Sequence, residues 1–346
     1  MSAMDHSIPQ TLAPDYAGGG IVNLMASIIR SRGGRAAHPL LGALSEAELA
    51  ETTNLVLLVI DGLGDDWLRR RAPGGLLSGH RPGSMTTVFP STTATAITTF
   101  LTGDPPLAHG LTGWNTWMGE LGAVISVLPG VPRYGGVSYS RAGLDPVRLF
   151  GHRSVFDRIA DPAWVVTPEH IAGSDFTRAH AGRAQVVGYR GLEGLFRAAA
   201  RIIRKERGRK YLYLYWPELD TIGHRRGMET PAATAHLGQI EGALAWFLQR
   251  IAGRDTLVLV TGDHGQVDTR PADVIDLADH PGLADCLSLP LCGEPRAAFA
   301  YLRPGHEARF LAECRGPLAD QIELRASQDL VDGGNFGRGE AQSLIH

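Results

Sequence analysis

The chain has 346 residues and a mass of 37.1 kDa, enough for one large or two small domains with a sizeable core. A hydrophobic content of 44 % is ordinary for a globular protein, and a formal charge of −3 with a pI near 6.5 shows no basic bias, so neither nucleic acid nor an anionic membrane is implied as a partner. The cysteines Cys286, Cys292 and Cys314 show no CxxC spacing and give neither a disulfide framework nor a thiolate metal site.

Met1 to Pro14 has no basic stretch followed by an apolar core, so no signal peptide is read. No apolar run approaches the ~20 residues that span a bilayer. These features predict a soluble, cytoplasmic protein. Residues 1–18 are polar and proline-containing, and predict a loose arm. Gly18-Gly-Gly20 then releases a helix over Ile21 to Ile29, with Val22, Met25 and Ile29 on one face. Ser45 predicts a short helix, with Glu48 as its capping-box partner.

Leu55 to Ile60 is an unbroken apolar run with β-branched Val56, Val59 and Ile60, the pattern of a parallel strand buried on both faces. It ends in Asp61, followed by Gly62 and Gly64. A carboxylate at the carboxyl end of such a strand lies at the rim where α/β proteins bind ligands. After Pro90, the Ser/Thr cluster supplies N-cap residues for a helix over Ala94 to Leu101, with Gly103 as its stop. Such a helix start attracts phosphate through its free N–H groups and its dipole.

His109-Gly110 and Trp114 to Trp117 predict a loop, and Ala123 to Phe150 predicts short strands and turns. A short helix over Val155 to Ile159, a strand at Trp164 to Val166 and an amphipathic helix over Leu192 to Lys205 follow. The strand Tyr211 to Trp216 leads to Asp220 and His224. Thr230-Pro231 opens a helix to about Arg250, with Leu237, Ile240, Leu244 and Phe247 on one face. The strand Thr256 to Thr261 leads to Asp263-His264. In the tail, Arg296 to Leu302 is strand-like and His306 to Cys314 helix-like. Strand–helix alternation predicts a predominantly parallel, doubly wound α/β sheet with helices on both faces, in a single domain over 1–346.

Six residues, Asp61, Thr93, Asp220, His224, Asp263 and His264, could serve two metals. Carboxylate oxygen with imidazole nitrogen suits zinc above manganese or iron. Asp220 and His224 share a face if helical, although Gly223 between them allows a loop. Asp263 and His264 are adjacent and need a turn to face one site. A lone Asp after an apolar strand is ordinarily a loop cap. Three such strand ends and a hydroxyl-rich helix start are not explained that way. His109 and His236 lack partners in sequence and read as structural or surface residues.

The conjunction resembles the alkaline phosphatase superfamily, in its nucleotide pyrophosphatase/phosphodiesterase branch. The matching pieces are Val59-Ile-Asp-Gly62, Phe89-Pro-Ser-Thr-Thr93, Leu101-Thr-Gly103, His109-Gly110, Leu219-Asp220 with His224, and Thr261-Gly-Asp-His-Gly265. The resemblance implies that Asp61, Asp263 and His264 hold one zinc with the Thr93 hydroxyl, and that Asp220 and His224 hold a second. It implies Thr93 as nucleophile, with Thr92 as fallback in the Thr run. Asn115 would hold a phosphate oxygen, one residue later than the usual spacing. Trp114 and Trp117 could stack a base or simply pack in a core.

The family's third histidine on the second metal comes from a His-Gly motif, and none follows Asp268 here. Either that metal is under-coordinated, or His346 or water completes it, or the chain is a truncated form of low activity. His280 and His306 are the other candidates. The reading is a metal-dependent hydrolase of small phosphodiesters or nucleotide pyrophosphates acting through a phospho-threonine. No Lys or Arg lies between Met85 and Arg133, which favours diesters over the more highly charged monoesters. The alternatives are a phosphomonoesterase or phosphomutase, or a non-catalytic binding protein on a degenerate fold. The Cys/Ser-x-Pro-x-Arg pattern of sulfatases is absent.

Overall fold

A computed structural model describes residues 13–316 and 318–339. Residues 1–12 of the expected arm lie outside the described residues. Residues 13–18 are tied down, with the Asp15 N–H donating to Thr86 Oγ1 at 2.7 Å and Gly20 bridging Thr86.

Ten strands form two sheets among the described residues. They are β1 Asn54–Ile60, β2 Asn115–Met118, β3 Ala123–Ser126, β4 Val131–Pro132, β5 Ala163–Pro168, β6 Gln185–Tyr189, β7 Lys210–Trp216, β8 Thr256–Thr261, β9 Cys292–Glu294 and β10 Ala297–Phe299. The main sheet has the order β6-β5-β7-β1-β8 and every pairing in it is parallel. The smaller sheet, β10-β9-β2-β3-β4, is antiparallel. It includes Trp114's neighbours Asn115 to Trp117, so the expected loop there is a strand. Its strands are two to four residues long, too short to carry a readable alternation.

The unbroken apolar run of β1 follows from burial on both faces. Leu55, Leu57 and Val59 pack into one cluster with residues of the Ile21–Ser31 and Thr93–Thr102 helices. Val56, Leu58 and Ile60 pack into another with residues of the Gly191–Lys205 and Pro231–Arg250 helices. Each such side chain contributes about 1.5–3 kcal/mol on burial. A third cluster, with Leu283, Cys286, Phe310 and Cys314, packs the C-terminal helices.

The expected single apolar face of the first helix is too narrow, because Ile21 to Ser31 is buried nearly all round with Arg30 exposed. Strand β8 is apolar like β1, yet it is the sheet edge and only half-buried. Ser45 accepts from the Glu48 N–H at 3.3 Å and caps the Glu46–Glu51 helix. Among the described residues no helix is long and apolar enough to cross a membrane.

Register aligns three strand ends. Ile60 lies beside Trp216, and Val59 beside both Tyr215 and Thr261. The residues that follow β1, β7 and β8 therefore emerge together at the carboxyl edge of the sheet. The turns nest so closely that Gly62 is required at φ 75°, since a Cβ there would lie 3.2 Å from the Asp220 Cα. A Cβ on Gly262 would lie 2.3 Å from the Leu63 carbonyl oxygen.

Candidate active site

Asp61 follows β1 and is 2 % exposed; Asp263 follows β8 and is 1 % exposed. Asp263 and His264 sit on the turn after the strand, as their adjacency requires. One donor atom from each of Asp61, Asp263 and His264 lies within 4.8 Å of the others. His264 Nε2 is 3.4 Å from Asp61 Oδ1 and 3.6 Å from Asp263 Oδ2.

Thr93 is the first residue of the Thr93–Thr102 helix, and its Oγ1 lies 3.0 Å from His264 Nε2 and 3.4 Å from Asp61 Oδ1. Its neighbour is engaged elsewhere, since the Thr92 hydroxyl donates to Glu294 Oε1 at 2.6 Å. Thr92 is the N-cap residue, but its side chain makes no cap bond, a correction to the capping role expected of this cluster. Gly103 ends the helix in the left-handed conformation, as expected.

Two backbone N–H groups hold Asp263 Oδ1, from Gly62 at 3.0 Å and His264 at 2.9 Å. Asp263 Oδ2 is buried with no hydrogen-bond partner. A buried carboxylate oxygen without a donor is costly unless a cation faces it. His264 Nδ1 contacts the Gly265 carbonyl at 2.9 Å, which places the proton on Nδ1 and leaves the Nε2 lone pair toward the carboxylates. The donor set of two carboxylates, one imidazole and one hydroxyl therefore fits a divalent metal such as zinc.

Electrostatics agree. Burial, then the charges of Asp263 and Asp220, hold Asp61 well above the usual carboxylate range, while the bond from the Tyr215 hydroxyl to Asp61 Oδ2 acts against this. Burial lowers His264, but the Asp263 carboxylate, the Gly265 carbonyl and the charges of Asp220 and Glu294 outweigh it, and the net direction is upward. Burial also raises Tyr215 well above the usual phenol value.

Asp220 and His224 lie on the Glu218–Arg226 helix, one turn apart, with Asp220 Oδ2 3.4 Å from His224 Nε2. The helical alternative thus holds and Gly223 does not break it. The His224 side chain is 74 % exposed, and neither residue joins the three-residue cluster. Burial raises Asp220, with the charges of His224 and His264 opposing. Gln266 Nε2 donates to both the Asp220 carbonyl and its Oδ1.

His280 and His306 flank the C-terminal helices and join no cluster of metal-ligating groups, while His346 lies outside the described residues. Asn115 opens β2, and its Oδ1 accepts from Ser126 Oγ at 3.0 Å, which leaves the Nδ2 donors for other partners. Trp114 is 40 % exposed and Trp117 half-buried.

His109 and His236 are structural, as expected of the first alternative. His109 is fully buried against Thr99, and His236 accepts from Trp216 Nε1 at 3.0 Å. Sequence reasoning missed Tyr215, Gln266 and Glu294. Only Tyr215 carried a signal, as the last of three tyrosines alternating along β7 onto one face.

The fold and this strand-end cluster define an α/β protein with a candidate metal centre over a threonine at a helix start. The model of the type I phosphodiesterase/nucleotide pyrophosphatase family matches residues 55–323, and the chain belongs to that family of hydrolases, a branch of the alkaline phosphatase superfamily. Solved structures agree in fold. An inactive threonine-to-alanine variant of murine ectonucleotide pyrophosphatase/phosphodiesterase 5, in complex with AMP, is 16 % identical over 83 % of this chain and 76 % of its own, with a TM-score of 0.57. Phosphonoacetate hydrolase from Sinorhizobium meliloti 1021, in complex with phosphonoformate, is 16 % identical over 82 % of this chain and 77 % of its own, with a TM-score of 0.58. Comparison with curated protein sequences finds no match.

Proposed function

We propose that this chain is a metal-dependent phosphodiesterase or nucleotide pyrophosphatase that acts on small diesters through a phospho-threonine at Thr93. The observation that carries the reading is the position of Thr93 Oγ1, within 3.4 Å of both His264 Nε2 and Asp61 Oδ1 at the start of a helix. Asp61, Asp263, His264 and Thr93 would hold one divalent metal, zinc by the chemistry of the donors, and Asp220 with His224 a second. When bound, such an ion lowers the pKa of a coordinated hydroxyl and offsets negative charge on phosphoryl oxygens.

The chain's own groups do the rest. The free N–H groups at the helix start face the phosphoryl oxygens. Asn115, its carbonyl held by Ser126, offers its amide donors to a third oxygen. The Thr93 hydroxyl gives its proton to water, Oγ1 bonds to phosphorus as the P–O bond to the leaving alkoxide or phosphate breaks, and an alkoxide so released takes up a proton from water. Water then cleaves the phospho-threonine and restores the hydroxyl. The inactive murine neighbour carries a threonine-to-alanine replacement and AMP, in keeping with threonine chemistry and a nucleotide ligand on this fold.

On the same reading the chain is one doubly wound domain, and its three free, buried cysteines accord with a cytoplasmic setting. The test is hydrolysis of bis-nitrophenyl phosphate and nitrophenyl phosphate by zinc-loaded and chelator-stripped protein. The diester should be the better substrate and stripping should abolish turnover. Faster monoester cleavage would favour the phosphatase alternative. Absence of zinc binding would favour a non-catalytic binding protein.

A further inference from the structure

Glu294 ends β9 in the smaller sheet, yet its Oε1 accepts from two segments of the active site. The Thr92 hydroxyl donates at 2.6 Å and the Trp114 N–H at 2.5 Å. Thr92 immediately precedes the nucleophile proposed above, and Trp114 immediately precedes Asn115. The pairing of Asn115 with Gly293 sets this approach. Glu294 is also among the charges that act on His264. Among the described residues no Lys or Arg forms an ion pair with it, and the chain from Met85 to Arg133 supplies neither. Its side chain therefore reaches the residue next to Thr93 with no Lys or Arg paired to it among the described residues.

We propose that Glu294 is a specificity-determining residue that selects monoanionic phosphodiesters against dianionic monoesters. The inference rests on the phosphodiesterase reading of the same site. A fixed negative charge beside the phosphoryl oxygens disfavours the ester that carries the extra charge more than the one that does not. The two hydrogen bonds keep that charge in place and, through the chain, keep Thr93 and Asn115 in register.

The test compares kcat/KM for bis-nitrophenyl phosphate and nitrophenyl phosphate in zinc-loaded wild type, E294Q and E294D. Glu294→Gln retains an acceptor oxygen for Thr92 and Trp114 but removes the charge. It should lower the diester-to-monoester ratio about tenfold, chiefly through a better monoester kcat/KM. Glu294→Asp retains the charge on a shorter stem, and should keep the wild-type preference even where both rates fall. An unchanged ratio in E294Q, or an equal loss of preference in E294D, overturns the inference while leaving the diesterase reading intact. A wild-type protein that cleaves neither ester overturns both. If E294Q does not fold, Glu294→Ala takes its place: it also removes the charge and should lower the diester-to-monoester ratio, and an unchanged ratio overturns the inference.

Discussion

Asp61 concentrates the chemistry of the site at the scale of single residues. It is buried, raised by two neighbouring carboxylates, and held at Oδ2 by the Tyr215 hydroxyl. A metal ligand must be the carboxylate, and a donor to that carboxylate favours it. Tyr215→Phe should therefore weaken metal binding by about 10- to 100-fold, the usual consequence of losing a group that orients a ligand. Competition with a coloured chelator measures this, and an affinity equal to wild type would show that the phenol only packs. Tyr215 could not be assigned this role from the sequence, since its partner lies 154 residues away. Gln266 and Glu294 escaped notice for the same reason, with partners 46 and 202 residues distant. The clustered residues themselves were legible, because Asp61 and Asp263-His264 interrupt apolar strands where a buried charge needs a purpose.

Strands and helices decide how the two halves of the site differ. The turns after β1 and β8 are packed backbone to backbone and bury Asp61 and Asp263, whereas Asp220 and His224 ride on a helix that leaves His224 largely in solvent. On the proposed two-metal reading, the first half would offer three protein ligands and the Thr93 hydroxyl, the second only two. Structural zinc binding totals roughly 10–16 kcal/mol over a full ligand set, so each missing ligand costs orders of magnitude in affinity. Zinc titration of chelator-stripped protein should show one tight equivalent and a second that is weak. Two equally tight equivalents would require a further ligand beside Asp220 and His224. The parallel sheet was readable from its apolar runs and intervening helical periods. The edge position of β8 was not, because an apolar run looks the same whether one neighbour or two will flank it.

At the scale of the whole molecule, a buried histidine links the segment after the Thr93–Thr102 helix to the rest of the core. His109 takes the Leu111 N–H on Nδ1 at 3.2 Å and meets Thr99 Oγ1 at 3.1 Å through Nε2, so both ring nitrogens are satisfied in the neutral form. Its carbonyl receives the His152 ring at 2.7 Å. Burial, then the charge of His152, holds His109 well below its usual range. In the unfolded chain the same ring takes up a proton as the pH falls through about 6.5. The unfolded state then binds more protons, and stability is lost as the pH falls, by up to about 1.4 kcal/mol per pH unit from this group. His109→Gln should flatten that decline relative to wild type in urea unfolding at about pH 5, 6 and 7. Parallel slopes would show that His109 is protonated in the folded state.

The central claim is that the Thr93 hydroxyl attacks phosphorus. Acid quenching of zinc-loaded enzyme during turnover of a nitrophenyl diester, followed by peptide mapping by mass, tests it most directly. The expected result is a phosphorylated or phosphoester-bearing Thr93 that is absent from the Thr93→Ala variant, which should be inactive yet fold normally, because Thr93 follows the cap position. A covalent label on Thr92, or steady turnover by the Thr93→Ala variant at the wild-type rate, would contradict the account.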